Sequence, residues 1–468
     1  MALRFHNSLG RKLQEFTPLA AGKVGLYTCG PTVYNFAHIG NFRAYMFEDL
    51  LRRTLELCGY QVNHVMNLTD VDDKTIRDSR AAQIPLHAFT QRYKDAFFAD
   101  VDALRIRRAH TYPSATEHIA EMIELIGKLF AAGVAYQADD GSVYFSIAKW
   151  PAYGQLQKID LDQMRAGVRI SHDEYAKESV ADFALWKAWA EDDGDVAWDS
   201  PWGKGRPGWH IECSAMSEKY LGPHFDIHCG GIDNMFPHHE DEIAQSEAAN
   251  GCRFVNYWLH CAHLIVDGEK MSKSLGNFYT IRQLAEKGYS GREIRWVLLG
   301  THYRQPLDFS FAALDAARTT LQRLAAFRQR LAEAAEAPEA GSAVAAERAA
   351  KASADFQAGL EDDLNISAAL AALFDLVRDG NRLLDEGTVA GPATAAFVQV
   401  LATCDRVLDV LTPAEDEGVP AEIVALAAER QAARKAKDFA RSDAIRDQLA
   451  AAGWAIEDTA KGPRVKRA

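Results

Sequence analysis

A chain of 468 residues is longer than one hydrophobic core usually supports, so its length predicts two to four domains. Hydrophobic residues make up 48% of it and charged residues 25%, as is typical of soluble globular proteins, and no stretch reaches the roughly 20 consecutive apolar residues of a membrane span. We therefore expect no membrane-spanning helix. The N-terminal segment has no apolar core of the kind found in secretory signals, and the seven scattered cysteines favour a reducing compartment. We therefore expect a cytoplasmic protein.

The net charge of −13 is unfavourable for a protein that binds nucleic acid, because phosphate contacts favour a basic surface. Basic residues gather at the end of the chain, where residues 421–468 hold ten basic and seven acidic side chains. Two interpretations of this segment stay open: a nucleic-acid contact, or a solvated helix followed by a charged tail. The charge permits a nucleic-acid partner without demonstrating one.

The chain begins with a βαβ pattern. Residues 24–30 (VGLYTCG) and 61–70 (QVNHVMNLTD) are predicted strands, and residues 42–60 carry apolar side chains at helical spacing. A strand, a glycine-containing turn, a helix and a second strand form the repeating unit of a doubly wound parallel sheet. Residues 1–133 are therefore predicted to be the first half of an α/β domain.

Four further segments follow along the chain. Residues 134–207 combine a strand-like stretch with an irregular charged region and are predicted to be an insertion, and residues 208–307 form the second α/β half. The pattern of residues 308–411 is nearly all helical, which predicts a bundle. Residues 412–468, which begin with the linker-like stretch 412–420, are predicted to be a small C-terminal domain.

The tetrapeptide HIGN, His38 to Asn41, lies between the first predicted strand and its helix. A helix N-terminus exposes backbone N–H groups and the positive end of the helix dipole, which favour a phosphate. Gly40 removes a side chain where a ligand must approach, and His38 can donate a hydrogen bond to a phosphate oxygen. On its own, the tetrapeptide is better explained by a turn with an incidental histidine.

The pentapeptide KMSKS, Lys270 to Ser274, is more specific. It follows the last apolar run and has Gly268 before it and Gly276 after it, which predicts a mobile loop carrying two ammonium groups, those of Lys270 and Lys273. Such a loop can close over a triphosphate and stabilise the charge that develops as pyrophosphate leaves. An exposed basic loop is the alternative, but the placement at the end of a second α/β half argues against it.

HIGN and KMSKS together resemble the two signatures of class I aminoacyl-tRNA synthetases. The resemblance implies a split Rossmann fold, which is a doubly wound parallel sheet whose two halves are separated by an insertion, with the ATP site between them. It implies that His38, Gly40, Asn41, Lys270 and Lys273 contact ATP, and that His38, Asn41 and the two lysines assist catalysis. Asn41 stands where the signature has histidine, and an asparagine can still donate a hydrogen bond.

A candidate metal site follows from residue types and spacing. His238 and Glu242 are four residues apart in a helical stretch (HHEDE), so they share one face. Cys29 ends the first predicted strand, and Cys213 lies in WHIECSAM at the start of the second α/β half. Two thiolates, an imidazole and a carboxylate form a reasonable zinc set. Buried cysteines that merely pack as small hydrophobes remain the alternative at this point.

Five longer segments, in order along the chain, resemble successive signatures of the cysteinyl-tRNA synthetase family: YTCGPTVYNFAHIGN, NLTDVDDK, SPWGKGRPGWHIECSAMS, HFDIHCGGIDNMFPHHEDEIAQ and KMSKSLGNF. This resemblance assigns the zinc ligands to Cys29, Cys213, His238 and Glu242. It implies that Gly231 and Asp233 belong to the ATP site, with Asp233 suited to bond the amino acid or the ribose. It also implies substrate contacts at Thr69 and Trp209, with His224 and His228 near the thiol end.

Some neighbouring residues have simpler explanations. His239 adjoins a predicted ligand, and we expect it to pack or to support that ligand. Asp70, Asp72 and Asp73 suggest a metal cluster, but a capped turn before a helix is the commoner explanation.

The resemblance implies an enzyme that activates L-cysteine with ATP, in the presence of Mg²⁺, and transfers it to the 3′ end of tRNA(Cys). Zinc would select the thiolate of cysteine over the hydroxyl of serine, because a thiol loses its proton far more readily when it binds a metal. The bundle and the C-terminal domain would bind the tRNA, and we expect a monomer that does not associate with membranes. Two alternatives stay open: a mycothiol-pathway ligase that joins cysteine to an amino sugar, and a non-catalytic tRNA-binding paralogue.

Overall fold

The computed structural model describes residues 2–158, 182–271, 276–412, 421–436, 438–452, 454–459 and 462–467. In these residues the strands are β1 (Arg4–Asn7), β2 (Lys12–Glu15), β3 (Lys23–Thr28), β4 (Gln61–Met66), β5 (Ala135–Gln137), β6 (Val143–Phe145), β7 (Phe183–Ala188), β8 (Gly205–Pro207), β9 (Phe225–Gly231), β10 (Val255–Cys261), β11 (Leu264–Val266), β12 (Glu269–Lys270), β13 (Leu307–Phe309), β14 (Trp454–Thr459) and β15 (Gly462–Arg467). The α-helices are α1 (Ile39–Leu57), α2 (Asp73–Ala82), α3 (Leu86–Ala103), α4 (Ile119–Ala131), α5 (Trp209–Leu221), α6 (Glu240–Asn250), α7 (Ile281–Glu286), α8 (Gly291–Leu299), α9 (Phe311–Ala334), α10 (Ser342–Glu361), α11 (Ile366–Asp385), α12 (Ala395–Leu408), α13 (Ala421–Lys435) and α14 (Phe439–Ala451).

A parallel sheet positions the candidate site. Its strands lie in the order β10-β9-β3-β4, and each neighbouring pair is parallel. The chain leaves β3 through α1 to β4 on one side, and later returns to β9 on the other side of β3. The order therefore reverses between β3 and β9, and the crevice at the carboxyl ends of such strands is where doubly wound sheets bind ligands.

One apolar core joins the sheet to the helices and to the predicted insertion. Ile126 of α4, Met216 of α5, Ile243 of α6 and Trp186 of β7 are all buried in it. Within the described part of residues 134–207, β5 to β8 form an antiparallel sheet in sequential order. This segment is therefore packed against the α/β halves through side chains such as Trp186.

A helical region follows the α/β domain. In α9, buried side chains recur every three or four residues (Leu314, Ala317, Leu321, Leu324, Phe327 and Leu331). Such a stripe packs a helix against neighbours, and α9 lies against α11 and α12. The helical periodicity predicted for residues 308–411 is present in α9 to α12.

A buried ion-pair node connects α1 to the helical region. The Asp49 carboxylate of α1 lies 2.8 Å from Arg53 Nε and 2.7 Å from a terminal nitrogen of Arg295 in α8, and the side chains of Asp49 and Arg295 have no exposed area. Arg295 also donates to the carbonyl oxygens of Val407 and Leu408, at the end of α12. Guanidinium groups thus pair with helix-terminal carbonyls that have no partner within their own helix.

The second compact unit, Leu411–Ala468, has a small core of its own. Ile423 of α13 packs with Ile445 and Leu449 of α14. The hairpin of β14 and β15 completes this unit, so residues 462–467, for which a charged tail was one of the two interpretations, form a paired strand.

The local predictions agree with these elements. The strands predicted at 24–30 and 61–70 correspond to β3 and β4, and the helix predicted from residue 42 begins three residues earlier, at Ile39. None of the helices in the described ranges is long and apolar enough to cross a membrane.

Candidate active site

Four potential metal-binding side chains converge at the switch point of the sheet. Cys29 follows the last residue of β3, and His238, His239 and Glu242 follow the carboxyl end of β9. One ligand atom from each of the four lies within 4.8 Å of the others, and all four side chains are buried. The structure therefore brings together three of the predicted ligands, Cys29, His238 and Glu242, and adds His239.

Two consecutive histidines reach the site from the segment just before α6. The helix is broken at Phe236, whose backbone is extended (φ −143°, ψ 132°), and the regular α6 begins at Glu240. His238 Nε2 lies 3.1 Å from Glu242 Oε1, while His239 Nε2 lies 3.2 Å from Cys29 Sγ. Adjacent side chains on a helix point about 100° apart. His238 and His239 therefore contact different members of the cluster.

Cys213, the remaining predicted ligand, lies beside the cluster in α5. It is 2% exposed, and its thiol contributes more than any other neighbour to raising the pKa of Cys29. Cys213 is absent from the group of four whose ligand atoms lie within 4.8 Å of one another. Two alternative sets of four metal ligands thus share Cys29, His238 and Glu242. The fourth ligand is Cys213 in one set and His239 in the other.

Burial sets the protonation of these groups. It lowers the pKa of His238 to about 3 and raises the pKa of Glu242 to about 7. The contact with Cys213, together with burial, raises the pKa of Cys29 well above its ordinary value. The imidazoles are therefore neutral at pH 7, the form in which they bind metals, and a cation would favour loss of the thiol and carboxyl protons.

The side chains fit a metal ion. Glu242 Oε1 is buried and has no hydrogen-bond partner among the described residues, although His238 Nε2 lies only 3.1 Å away. Lone pairs that face each other at this distance are favourable when a cation lies between them. Sulfur, nitrogen and oxygen ligands in one closed, buried group suit a transition metal better than Mg²⁺ or Ca²⁺.

Aromatic rings line the cluster. Trp209, 40% exposed, stacks on His238 with ring centroids 4.4 Å apart, and Trp258 stacks on the fully buried His228 at 4.6 Å. His228 Nε2 lies 3.0 Å from Glu242 Oε2. Thr69 lies on the β4 side of the cluster, where its hydroxyl donates to Glu212 at 3.0 Å.

His224 lies apart from the cluster, and its assignment to the thiol end stays a prediction. This residue precedes β9, at the amino end of a strand of seven residues, and its ring bonds Asn256 Oδ1 at 3.0 Å. His228, four residues further along β9, is the strand residue that contacts Glu242 of the cluster, so at roughly 3.3 Å per residue His224 lies about 13 Å before that contact. His224 is therefore not part of the cluster.

HIGN forms the N-terminus of α1. Nδ1 of His38, the N-cap residue, accepts hydrogen bonds from the backbone N–H groups of Gly40 (3.1 Å) and Asn41 (3.3 Å), and Asn41 Oδ1 accepts from the His38 N–H (3.1 Å). Because Nδ1 is an acceptor, the neutral imidazole carries its proton on Nε2 and can donate from that nitrogen. Asn41 therefore has a capping role at the start of α1.

The second signature meets the first at Gly40. A Cβ at Gly40 would lie 2.8 Å from Met271 Cε and 2.9 Å from the His38 ring. Strand β12 ends at Lys270, and Lys273 lies outside the described residues. Downstream of KMSKS, the His38 ring packs against Phe278 at 4.7 Å, and Ile39 N–H donates to the carbonyl oxygen of Tyr279.

Replacement of Gly40 by alanine is expected to slow adenylate formation roughly 10- to 100-fold, because the added methyl must displace the His38 ring or Met271 and small misplacements are costly in catalysis. The measurement is ATP–pyrophosphate exchange. Gly127→Ala is the matched control, since Gly127 lies within α4 and a Cβ there meets no atom within 4 Å. Equal exchange rates in the two variants would contradict the prediction.

Gly231 and Asp233 lie at the rim of the site, immediately after the metal-binding side of β9. Asp233 is exposed on a short 3-10 turn, Ile232–Asn234, and its carboxylate would collide with a Cβ at Gly231.

By contrast, the three aspartates of NLTDVDDK are structural. Asp72 caps α2, Asp70 pairs with Lys94 at 2.6 Å and Asp73 pairs with Lys187 at 2.9 Å, which confirms the capped-turn interpretation.

Three family models match successive parts of the chain. The family model for the class I (C) tRNA synthetase catalytic domain matches residues 15–319, a DALR domain matches 355–412, and the cysteinyl-tRNA ligase anticodon-binding domain matches 416–465. The cysteine–tRNA ligase of Solibacter usitatus is 50% identical over 469 residues, covering 100% of both chains, and that of Protochlamydia amoebophila is 49% identical over 469 residues, covering 99% of this chain and 98% of its own. The chain belongs to the cysteine–tRNA ligase family. It is thus a class I synthetase and a ligase.

Solved structures support the fold assignment. Mycobacterium tuberculosis methionyl-tRNA synthetase in complex with methionyl-adenylate matches with a TM-score of 0.61 at 16% identity, over 83% of this chain and 90% of that chain. The LeuRS–tRNA–LeuAMS complex of Agrobacterium radiobacter K84 matches with a TM-score of 0.58 at 13% identity, over 86% of each chain. At these identities the likeness concerns the fold alone.

Proposed function

We propose that the chain activates L-cysteine with ATP to cysteinyl-adenylate and transfers the cysteinyl group to the 3′ end of tRNA(Cys). The observation that carries this proposal is the buried Cys/His/His/Glu cluster at the switch point of the sheet. Cys29 of this cluster and HIGN lie at opposite ends of the connection between β3 and α1. The cluster can recognise a thiol, and HIGN can recognise a triphosphate. A chain related over its full length to cysteine–tRNA ligases has both features.

The α1 terminus and the basic loop would bind ATP together with Mg²⁺. The dipole of α1 favours the phosphates, and the Nε2–H of His38 donates to a phosphate oxygen. Asp233, exposed at the rim, accepts a hydrogen bond from the ribose or from the amino group of cysteine. Lys270 and Lys273 of KMSKS offset the charge that develops as pyrophosphate leaves, and Thr69 and His228 line the amino-acid side.

The metal would be zinc, held by Cys29, His238, Glu242 and either Cys213 or His239. A bound zinc ion would stabilise the substrate sulfur as a thiolate, which serine cannot match because its hydroxyl keeps its proton and is a harder ligand. Trp209 and Trp258 form walls that exclude water from this side of the cluster. Selection of the substrate therefore occurs at the cluster before ATP reacts.

The bundle and the C-terminal unit would bind tRNA. The matches to a DALR domain and to an anticodon-binding domain support this assignment, and so does the excess of basic over acidic side chains in residues 421–468. The same two matches argue against the amino-sugar ligase as an alternative, because that reaction has no use for an anticodon-binding domain. The protein would act as a monomer in the cytoplasm.

Charging of unfractionated tRNA tests the proposal. Labelled cysteine is expected to become acid-precipitable in the presence of ATP, whereas labelled serine is not. Charging with neither amino acid, together with no cysteine-dependent pyrophosphate exchange, would contradict the function. Exchange without charging would point instead to an amino-sugar acceptor.

A further inference from the structure

A chain of polar side chains leads away from the proposed metal ligand His238. Nδ1 of His238 lies 2.9 Å from Nδ1 of His210, in α5, and Nε2 of His210 lies 3.3 Å from Oδ2 of Asp241. All three residues are buried, with exposures of 2%, 8% and 1%. The ring nitrogen of His238 that faces away from Glu242 thus has a defined partner.

The inserted segment reaches the far end of this chain. The hydroxyl of Tyr153 donates to the other carboxylate oxygen of Asp241. The adjacent Glu240 accepts the backbone N–H groups of residues 154, 156 and 157 at 2.9 to 3.0 Å. Two consecutive carboxylates at the start of α6 therefore anchor the loop that carries Tyr153.

The hydrogen bonds fix where the protons lie. Because the Asp241 carboxylate accepts from Tyr153, it is an acceptor for His210 as well, so the His210 proton lies on Nε2. Nδ1 of His210 is then an acceptor, and the proton of His238 lies on its Nδ1. This tautomer leaves a lone pair on His238 Nε2, the nitrogen that lies 3.1 Å from Glu242 Oε1.

We propose that His210, Asp241 and Tyr153 are positioning residues, which hold His238 in the tautomer and orientation that bind the metal. The inference rests on the metal site proposed above. It gives the insertion a role in the metal centre, since Tyr153 belongs to residues 134–207. Partners of this kind typically change metal affinity by about 10- to 100-fold when they are removed.

The test measures zinc affinity of the full chain by competition with a chromophoric chelator, and the visible spectrum of the Co²⁺-substituted protein. His210→Phe keeps a ring of similar shape but removes both nitrogens. It is expected to weaken zinc binding about 10- to 100-fold and to change the Co²⁺ spectrum. Asp241→Leu, which removes the terminal acceptor, is expected to weaken binding in the same direction, whereas Asp241→Asn keeps a carbonyl oxygen and is expected to stay within about threefold of the wild type.

His118→Phe is the matched control. His118 is 3% exposed and also bonds through both ring nitrogens, to the Ser114 carbonyl oxygen at 2.7 Å and to the Tyr220 hydroxyl at 2.9 Å, but it lies outside the cluster. We expect this variant to lose stability and to keep the wild-type zinc affinity and Co²⁺ spectrum.

Wild-type zinc affinity in both His210→Phe and Asp241→Leu would overturn the positioning role and leave the proposed function intact. A wild-type protein that binds no zinc would instead overturn the metal site on which both proposals rest.

Discussion

Cys29→Ser is expected to lower cysteine-dependent ATP–pyrophosphate exchange by at least about 100-fold and to release the bound metal. Cys29 belongs to both alternative ligand sets, so its loss affects either arrangement. A serine hydroxyl of nearly the same shape does not ionise at neutral pH and is a poor ligand for zinc. Loss of one precisely placed interaction at a reacting site commonly costs 100- to 1,000-fold in rate.

Cys404→Ser is the control for Cys29→Ser. Cys404 is also buried but lies in α12, in the helical region. Its replacement introduces the same buried hydroxyl and is expected to leave metal content and exchange unchanged. Full activity in a metal-free Cys29→Ser protein would contradict the role of the cluster in cysteine recognition.

The same assay distinguishes the two ligand sets. Cys213→Ser is expected to release the metal if Cys213 is the fourth ligand, and His239→Gln is expected to do so if His239 is. The neighbouring residue that is not a ligand affects binding only through packing. Elemental analysis of the purified variants measures the metal directly.

Local sequence features predicted the strand and the helix that position the site, but not all of the side chains that meet there. The strand before Cys29 and the N-terminus of α1 depend on neighbours in sequence, and both were predicted where they occur. The helical spacing of His238 and Glu242 also placed them together. The proximity of His239 to Cys29 depends on the contact between this segment and the end of β3, which are 210 residues apart in sequence.

Contacts between distant segments were missed for a different reason. Tyr153 and Asp241 are 88 residues apart, and the hydrogen bond between them depends on how the insertion folds onto α6. His224 was assigned to the thiol side from resemblance alone, whereas its position at the amino end of β9 separates it from the cluster. The burial of Glu240 and Asp241, which requires partners for both carboxylates, is visible only in the structure.

Asp49→Asn is expected to lower the free energy of unfolding by about 3–5 kcal/mol. The change removes the charge that faces the buried guanidinium group of Arg295, whose side chain has no exposed area. Breaking one partner of a buried ion pair leaves an uncompensated charge in a medium that solvates it poorly. The measurement is urea-induced unfolding followed by tryptophan fluorescence.

Asp102→Asn provides the comparison, because the pair of Asp102 with Arg108 has side chains that are 56% and 51% exposed. Solvent screens this pair, so the expected loss is at most about 1 kcal/mol. Similar losses in the two variants would show that the Asp49 node contributes no more than a surface pair.

The pH dependence of the Asp49→Asn effect follows from the carboxyl group. Burial on its own would raise the pKa of Asp49, but the charges of Arg295 and Arg53 outweigh it and hold the pKa below the ordinary value of 3.8. A carboxyl whose pKa is lower in the folded state contributes its stabilisation above the unfolded pKa and loses it as the pH falls through the folded one. The difference between wild type and Asp49→Asn is therefore expected to be constant near neutral pH and to narrow only below about pH 4. Since the same node joins α1, which begins at HIGN, to the end of α12, its loss is expected to loosen the attachment of the helical region to the nucleotide side of the domain.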